Sequence, residues 1–117
     1  MTTKPLEGIR VLDFTNVLAG PTCTMLLANM GAEIIKLERP GRGDDARAYG
    51  PHINGESVYF TSINRGKKSV VCDAKSEAGR RMFLKLVEKA DILIENIKPG
   101  GMARMGLDYE NLKSINP

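Results

Sequence analysis

Arg39, Lys75, Lys98 and Arg104 each follow, or lie just beyond, a short apolar run that reads as a strand. Guanidinium forks and ammonium groups that converge on one point suit a polyphosphate. Taken separately, the same four charges are equally consistent with independent, solvated side chains. A second candidate is the turn Thr15 to Gly20, which leads into a segment opened by Pro21. Free N–H groups and the helix dipole at such a place favour anions. The turn has neither the GxGxxG nor the Walker spacing, so no dinucleotide motif is readable there. Its spacing alone favours a plain glycine turn.

The remaining reactive residue types point away from catalysis. Asp44 and Asp45 are adjacent in a glycine-rich stretch, where a turn role outweighs a general acid/base pair. His52 is the single histidine, so a histidine-based triad would have to use it, yet its Gly/Pro-rich surroundings predict a surface position. Cys23 and Cys72 are far apart, with no CxxC and no histidine pair, which leaves no readable zinc or redox motif. Both are expected to be buried thiols in a reducing cytoplasm. Asp13, near the end of the first strand, is expected to be half-buried and to hydrogen-bond the loop that follows.

The elements that must position these residues alternate. Ile9 to Phe14 reads as a strand, Pro21 to Met30 as a helix closed by Gly31, and Glu33 to Leu37 as a second strand. This is a βαβ unit of minimal length, which implies parallel pairing and a right-handed crossover. Glu38 to Asn54 breaks the alternation, with Arg39 to Asp45 reading as a long surface loop, and Glu56 to Ile63 reads as either a short helix or an irregular segment. A third strand is expected over Lys68 to Asp73. Ser76 is expected to cap a helix over Glu77 to Lys89, whose Met82, Phe83, Leu86 and Val87 share one face. Asp91 to Glu95 reads as a fully buried parallel strand, followed by short helices over Met102 to Met105 and Tyr109 to Ser114, the latter capped by Asp108. The predicted class is α/β, Rossmann-like, with a mainly parallel sheet, flanking helices and one sheet edge left uncovered.

Size and charge narrow the function. The 117 residues amount to one domain, so a cleft between two lobes is excluded from this chain alone. The net charge is +3, the charges are interleaved, and aromatics are only 5%, too few for a base-stacking platform. Nucleic acid is therefore not the expected partner; a mid-sized anionic ligand fits the excess better. The uncharged stretch Phe14 to Ala32 is interrupted by Asn16, Gly20, Pro21, Asn29 and Gly31, so no membrane span is expected. The first ten residues lack an apolar core, so no secretory signal is expected, and a cytoplasmic location follows as the default.

Several blocks, in order, resemble one family. They are Pro5 to Phe14, Ala19-Gly20-Pro21 with Cys23-Thr24, Gly31 to Glu38, Gly43-Asp44-Asp45-Ala46-Arg47, Asn64 to Ser69, Asp91 to Asn96, Pro99-Gly100 and Met105-Gly106-Leu107. Together they resemble the start of class III CoA-transferases, of the formyl-CoA transferase, carnitine CoA-transferase and α-methylacyl-CoA racemase type. The Gly-Asp-Asp-x-Arg block and Tyr49-Gly50-Pro51 most resemble dicarboxylate-type members. The resemblance implies that residues 1–117 are the N-terminal CoA-binding part of a larger Rossmann-like domain. It implies an interlocked homodimer, no metal and no redox or tightly bound cofactor, with coenzyme A or acyl-CoA and a carboxylic acid as substrates.

It also implies roles for particular residues. Val17, Leu18 and Ala19 would contact CoA, and Arg39 its adenosine or phosphate. Cys72, Asp73, Ala74 and Lys75 would line the adenine and phosphate site, with Asn96, Ile97 and Lys98 along the pyrophosphate or pantetheine. Arg104 would pair with a phosphate. In the family an aspartate attacks the thioester and forms covalent intermediates. Its motif lies beyond Pro117, and none of Asp13, Asp44, Asp45, Asp73, Asp91 or Asp108 matches it. No catalytic residue is therefore assigned, and the chain alone is expected to be inactive. The competing readings are an acyl-CoA racemase of the same family and a non-catalytic CoA- or nucleotide-binding module.

Overall fold

Val11 and Leu12 are neighbours in sequence and both fully buried, yet they belong to different apolar clusters. Successive strand residues point to opposite faces, so a strand buried on both sides belongs inside a parallel sheet. The computed structural model, which describes residues 3–117, places it there. The elements run β1 (Arg10–Phe14), α1 (Ala19–Asn29), β2 (Glu33–Glu38), a 3-10 turn (Asp45–Ala48), β3 (His52–Ile53) and β4 (Glu56–Ser57). They continue with α2 (Val58–Asn64), β5 (Lys67–Val71), α3 (Glu77–Val87), β6 (Ile92–Glu95), α4 (Gly101–Arg104) and α5 (Tyr109–Ile115). The main sheet has the order β5-β2-β1-β6 and is parallel throughout.

The core has two sides. Leu12 and Leu37 pack with Phe83 and Val87 of α3 and with Leu107 and Leu112. Phe14 meets Phe83 edge to face, with ring centroids 5.2 Å apart. On the other side Val11, Ala32 and Ile34 pack with Leu27 and Ala28 of α1. The predicted α/β class and parallel sheet are therefore present as three layers. Ser76 caps α3 as expected, accepting the Gly79 N–H at 3.0 Å.

Several local expectations need correcting. The first helix starts at Ala19, so Pro21 sits inside its first turn; the first intrahelical bond is from Thr22 N–H to Leu18, and no donor is lost. The loop expected over Arg39 to Asp45 is present as far as Asp44; beyond it the chain carries the 3-10 turn and β3, which pairs antiparallel with β4. The undecided segment after it is β4 and α2, with Ser57 accepting the Phe60 N–H at 3.1 Å as the cap. Strand β6 is not fully buried: it pairs on one side only and leaves Ile92 37% exposed. Asp108 makes no cap bond to the α5 backbone and instead accepts from the Asn111 side chain at 2.5 Å. Cys72 is buried, but Cys23 is exposed on α1. No helix among the described residues is long and apolar enough to cross a membrane.

Candidate functional site

Because all four strands of the main sheet are parallel, the connections after β1, β2, β5 and β6 leave the same edge. The chain moves outward from β1 through β2 to β5 and then returns to lay β6 against the other side of β1. Such a reversal opens a crevice beyond the carboxyl ends of β1 and β6. Two asparagines bridge it. Asn16 N–H donates to Asn96 Oδ1 at 2.9 Å, and Asn96 Nδ2 donates to the Asn16 carbonyl at 2.9 Å. Val17 follows with φ at 70°, a left-handed conformation that a β-branched residue adopts only under constraint. Its N–H donates to Asp44 Oδ1 at 3.0 Å. Leu18 is 52% exposed and Ala19 is exposed, so both face outward from the turn. Behind it, Gly20 lets the helix approach closely, since a Cβ there would lie 2.3 Å from that of Thr15.

Buried charges underlie this turn. Asp13 is fully buried, more so than expected, and does fix the following loop. It accepts from the Thr15 N–H at 3.1 Å, from the Thr15 hydroxyl, from the Thr24 hydroxyl at 2.6 Å and from Lys67 Nζ at 3.0 Å. Lys67 Nζ also donates to the Pro21 carbonyl and to Asn64 Oδ1. Burial pulls the Lys67 pKa down, and Asp13 opposes that pull. Lys36, 1% exposed, pairs with Asp44 at 2.8 Å. Asp44 also caps the 3-10 turn through the Ala46 N–H, so the expected turn role holds. Burial acts to raise the Glu38 pKa, but hydrogen bonds from Arg47, Ser69 and the Asp44 N–H prevail and hold it at about 2. These pairs bind one another and leave no reactive group free.

A cleft of about 560 Å³ lies between the start of α3 and α4. Lys75, Arg80 and Arg104 line it, together with Ala74, Ser76 and Gly101. None of the ion pairs among the described residues uses these three cations. The N-terminal N–H groups of the eleven-residue α3 add their dipole at the same rim. Glu77, the one acid there, is held by Arg81 at 2.9 Å. A larger cleft of about 700 Å³ runs along the open edge of β6. Its charged lining is Asp91, Glu95, Asp108 and Lys113, an acidic balance that repels an anion.

Of the sequence-predicted site residues, Val17, Leu18, Ala19 and Asn96 meet at the crevice, and Ala74, Lys75 and Arg104 meet at the cationic cleft. Cys72 turns into the core: its Sγ contacts the Gly79 carbonyl at 3.3 Å, and burial raises its pKa. Asp73 supports the approach to α3 by accepting the Lys75 N–H at 3.2 Å. Arg39 is paired with Asp45, outside both sites. Ile97 N–H donates to Glu95 at 2.7 Å, while Lys98 is exposed and does not line the cleft. His52 is exposed, as expected. Sequence reasoning missed Arg80, Asn16 and Lys36. Arg80 could have been found from its place one turn after the Ser76 cap.

Known proteins resemble this chain in sequence and in fold. The family model described as CoA-transferase family III matches residues 6–117. Acetyl-CoA:oxalate CoA-transferase of Acetobacter aceti is 50% identical over 97% of this chain and 29% of its own length. Succinyl-CoA:glutarate CoA-transferase of Mus musculus is 51% identical over 97% of this chain and 26% of its own length. A crystal structure of a CAIB/BAIF family protein from Brucella suis superposes with a TM-score of 0.92 at 44% identity, covering 99% of this chain and 32% of that one. The chain thus spans between a quarter and a third of the length of these relatives. With the family model matched over nearly every residue, the chain belongs to CoA-transferase family III.

Proposed function

We propose that residues 1–117 are the N-terminal CoA-binding part of a class III CoA-transferase acting in the cytoplasm as a homodimer. The observation that carries this reading is the grouping of Lys75, Arg80 and Arg104, without a carboxylate partner among the described residues, at the N-terminus of α3. CoA carries a 3′-phosphate and a pyrophosphate, and charge-assisted bonds to such groups are strong. Asn96 and the Val17 turn, at the crevice between β1 and β6, would take the pantetheine arm. Arg39 would join the phosphates only by releasing Asp45.

The parent reaction would move CoA from an acyl-CoA to a free carboxylic acid. An aspartate supplied by sequence after Pro117 would attack the thioester carbonyl and expel the CoA thiolate, leaving a mixed anhydride. The thiolate would then attack the aspartyl carbonyl, releasing the first acid and forming an aspartyl thioester. No described acid serves this purpose: Asp13 and Asp44 are buried in ion pairs, and Asp45 is paired with Arg39. The relatives named for oxalate and glutarate favour a dicarboxylate acceptor.

Calorimetry of this chain with CoA tests the reading. Stoichiometric binding is expected, weakened by Arg104→Ala and by added salt, with no CoA transfer between acids. Absence of binding, or binding indifferent to both changes, would sink it.

A further inference from the structure

We propose that Lys36 and Asp44 are positioning residues, which set the backbone of Thr15 to Val17 for the pantetheine arm of the ligand. The proposal rests on the CoA-binding reading above for the identity of that ligand. Its structural basis is the pattern of bonds around three consecutive residues. Lys36 Nζ donates to the Thr15 carbonyl at 3.0 Å and meets Asp44 Oδ2 at 2.8 Å. Asp44 Oδ1 takes the Val17 N–H at 3.0 Å and the Ala46 N–H at 2.9 Å. Asp13 holds the Thr15 N–H, and Asn96 holds both polar groups of Asn16. From the Thr15 N–H to the Val17 N–H, every backbone donor and acceptor is therefore held by a side chain.

The next group differs. The Val17 carbonyl would be taken in a helix by the N–H four residues on, but that residue is Pro21, which has none. The turn thus ends on an acceptor that the helix cannot use, at the carboxyl end of β1, beside exposed Leu18 and Ala19. An amide-rich, uncharged arm suits such a group, and a phosphate does not.

Buried ion pairs are weak sources of stability, because apolar replacements of similar volume often fold as well. What this pair supplies is geometry. It ties the loop after β2 to the turn after β1 and keeps Val17 at φ 70°. A preformed turn spares the ligand the ordering cost. The cationic cleft has no bond to Lys36 or Asp44, so the two halves of the ligand should respond separately.

The test uses this chain with two probes, CoA and adenosine 3′,5′-bisphosphate, which has the phosphates without the arm. Asp44→Asn removes the charge that holds Lys36. Val17→Gly relaxes the turn while preserving the fold, since glycine takes a positive φ freely. Both variants are expected to bind CoA about tenfold more weakly, because the ligand must then order the turn itself. Both should bind the bisphosphate as the parent chain does. Equal losses on both probes, or no loss on CoA, would overturn the proposal. Amide hydrogen exchange gives a second, ligand-free readout: the Val17 N–H should be protected in the parent chain and exposed in Asp44→Ala, which removes its acceptor, with β1 still protected. An unprotected Val17 N–H in the parent chain overturns the positioning role whatever the probes do. If the parent chain binds neither probe, the CoA reading itself fails; with Val17 protected, the pair then still sets the turn but not for this ligand.

Discussion

Lys36 and Lys67 are buried and each meets an aspartate, whereas Lys75, Arg80 and Arg104 line an open cleft and meet none. The β1 turn that the first group supports and the cleft that the second lines both lie at the carboxyl edge of one parallel sheet. Beneath the β1 turn, charge is cancelled within the protein, and its effect is to hold backbone groups in place. At the start of α3, charge is left uncancelled, and its effect is available to a ligand. A charge desolvated without a partner costs far more than one in water, so only the solvated cleft can keep its cations unpaired. The contrast separates residues that shape the site from residues that bind in it.

Breaking the buried side gives the largest effect. Asp13→Ala leaves Lys67 buried without its carboxylate and removes the acceptor of two threonine hydroxyls. A stability loss of about 3–5 kcal/mol is expected in urea unfolding. Breaking the open side should affect binding instead. Arg80→Ala and Arg104→Ala should each change stability by less than about 0.5 kcal/mol. Each should weaken CoA binding by about 1.5–3 kcal/mol by calorimetry.

Gly79→Ala tests the joint between β5 and α3. A Cβ there would lie 1.9 Å from the Asp73 carbonyl oxygen, and backbone cannot swing aside as a side chain can. Stability should fall by about 1–3 kcal/mol, with CoA binding weakened as the start of α3 shifts. A further effect appears in acid. The Glu38 pKa is depressed to about 2 from an ordinary 4.5, so the folded state binds fewer protons than the unfolded chain in that interval. Its stabilising contribution is complete above pH 4.5 and is lost as pH falls towards 2. Arg47→Met removes the main partner and should flatten that acid-induced loss in denaturant titrations.

Much of this plan is legible in the sequence, for reasons particular to each element. The β1-α1-β2 unit follows from its β-branched runs and the proline that marks the first turn of α1, and the α3 cap from Ser76 three residues before Gly79. The cations at strand ends are legible as positions, because a parallel sheet sends every such connection to one edge. Which of them converge is not. Arg39 and Lys75 look alike in sequence, yet Asp45 claims the first, and only the placement of α4 across the cleft from the start of α3 brings Arg104 to the second. Lys36 receives no role from the sequence, since its partner Asp44 lies across a loop whose path the sequence leaves open. The exposed edge of β6 is hidden for the opposite reason: Ile92-Leu93-Ile94 is apolar enough for a central strand.

The division between a shaping turn and a binding cleft is tested most directly by mapping CoA onto the backbone amides of the isotope-labelled chain in solution. The account predicts ligand-induced shifts in two groups, at Lys75 to Arg80 with Gly101 to Met105, and at Val17 to Ala19 with Asn96. Adenosine 3′,5′-bisphosphate should move the first group only. Shifts concentrated along the β6 edge and α5, or a bisphosphate that moves the Val17 turn as strongly as CoA does, would contradict it.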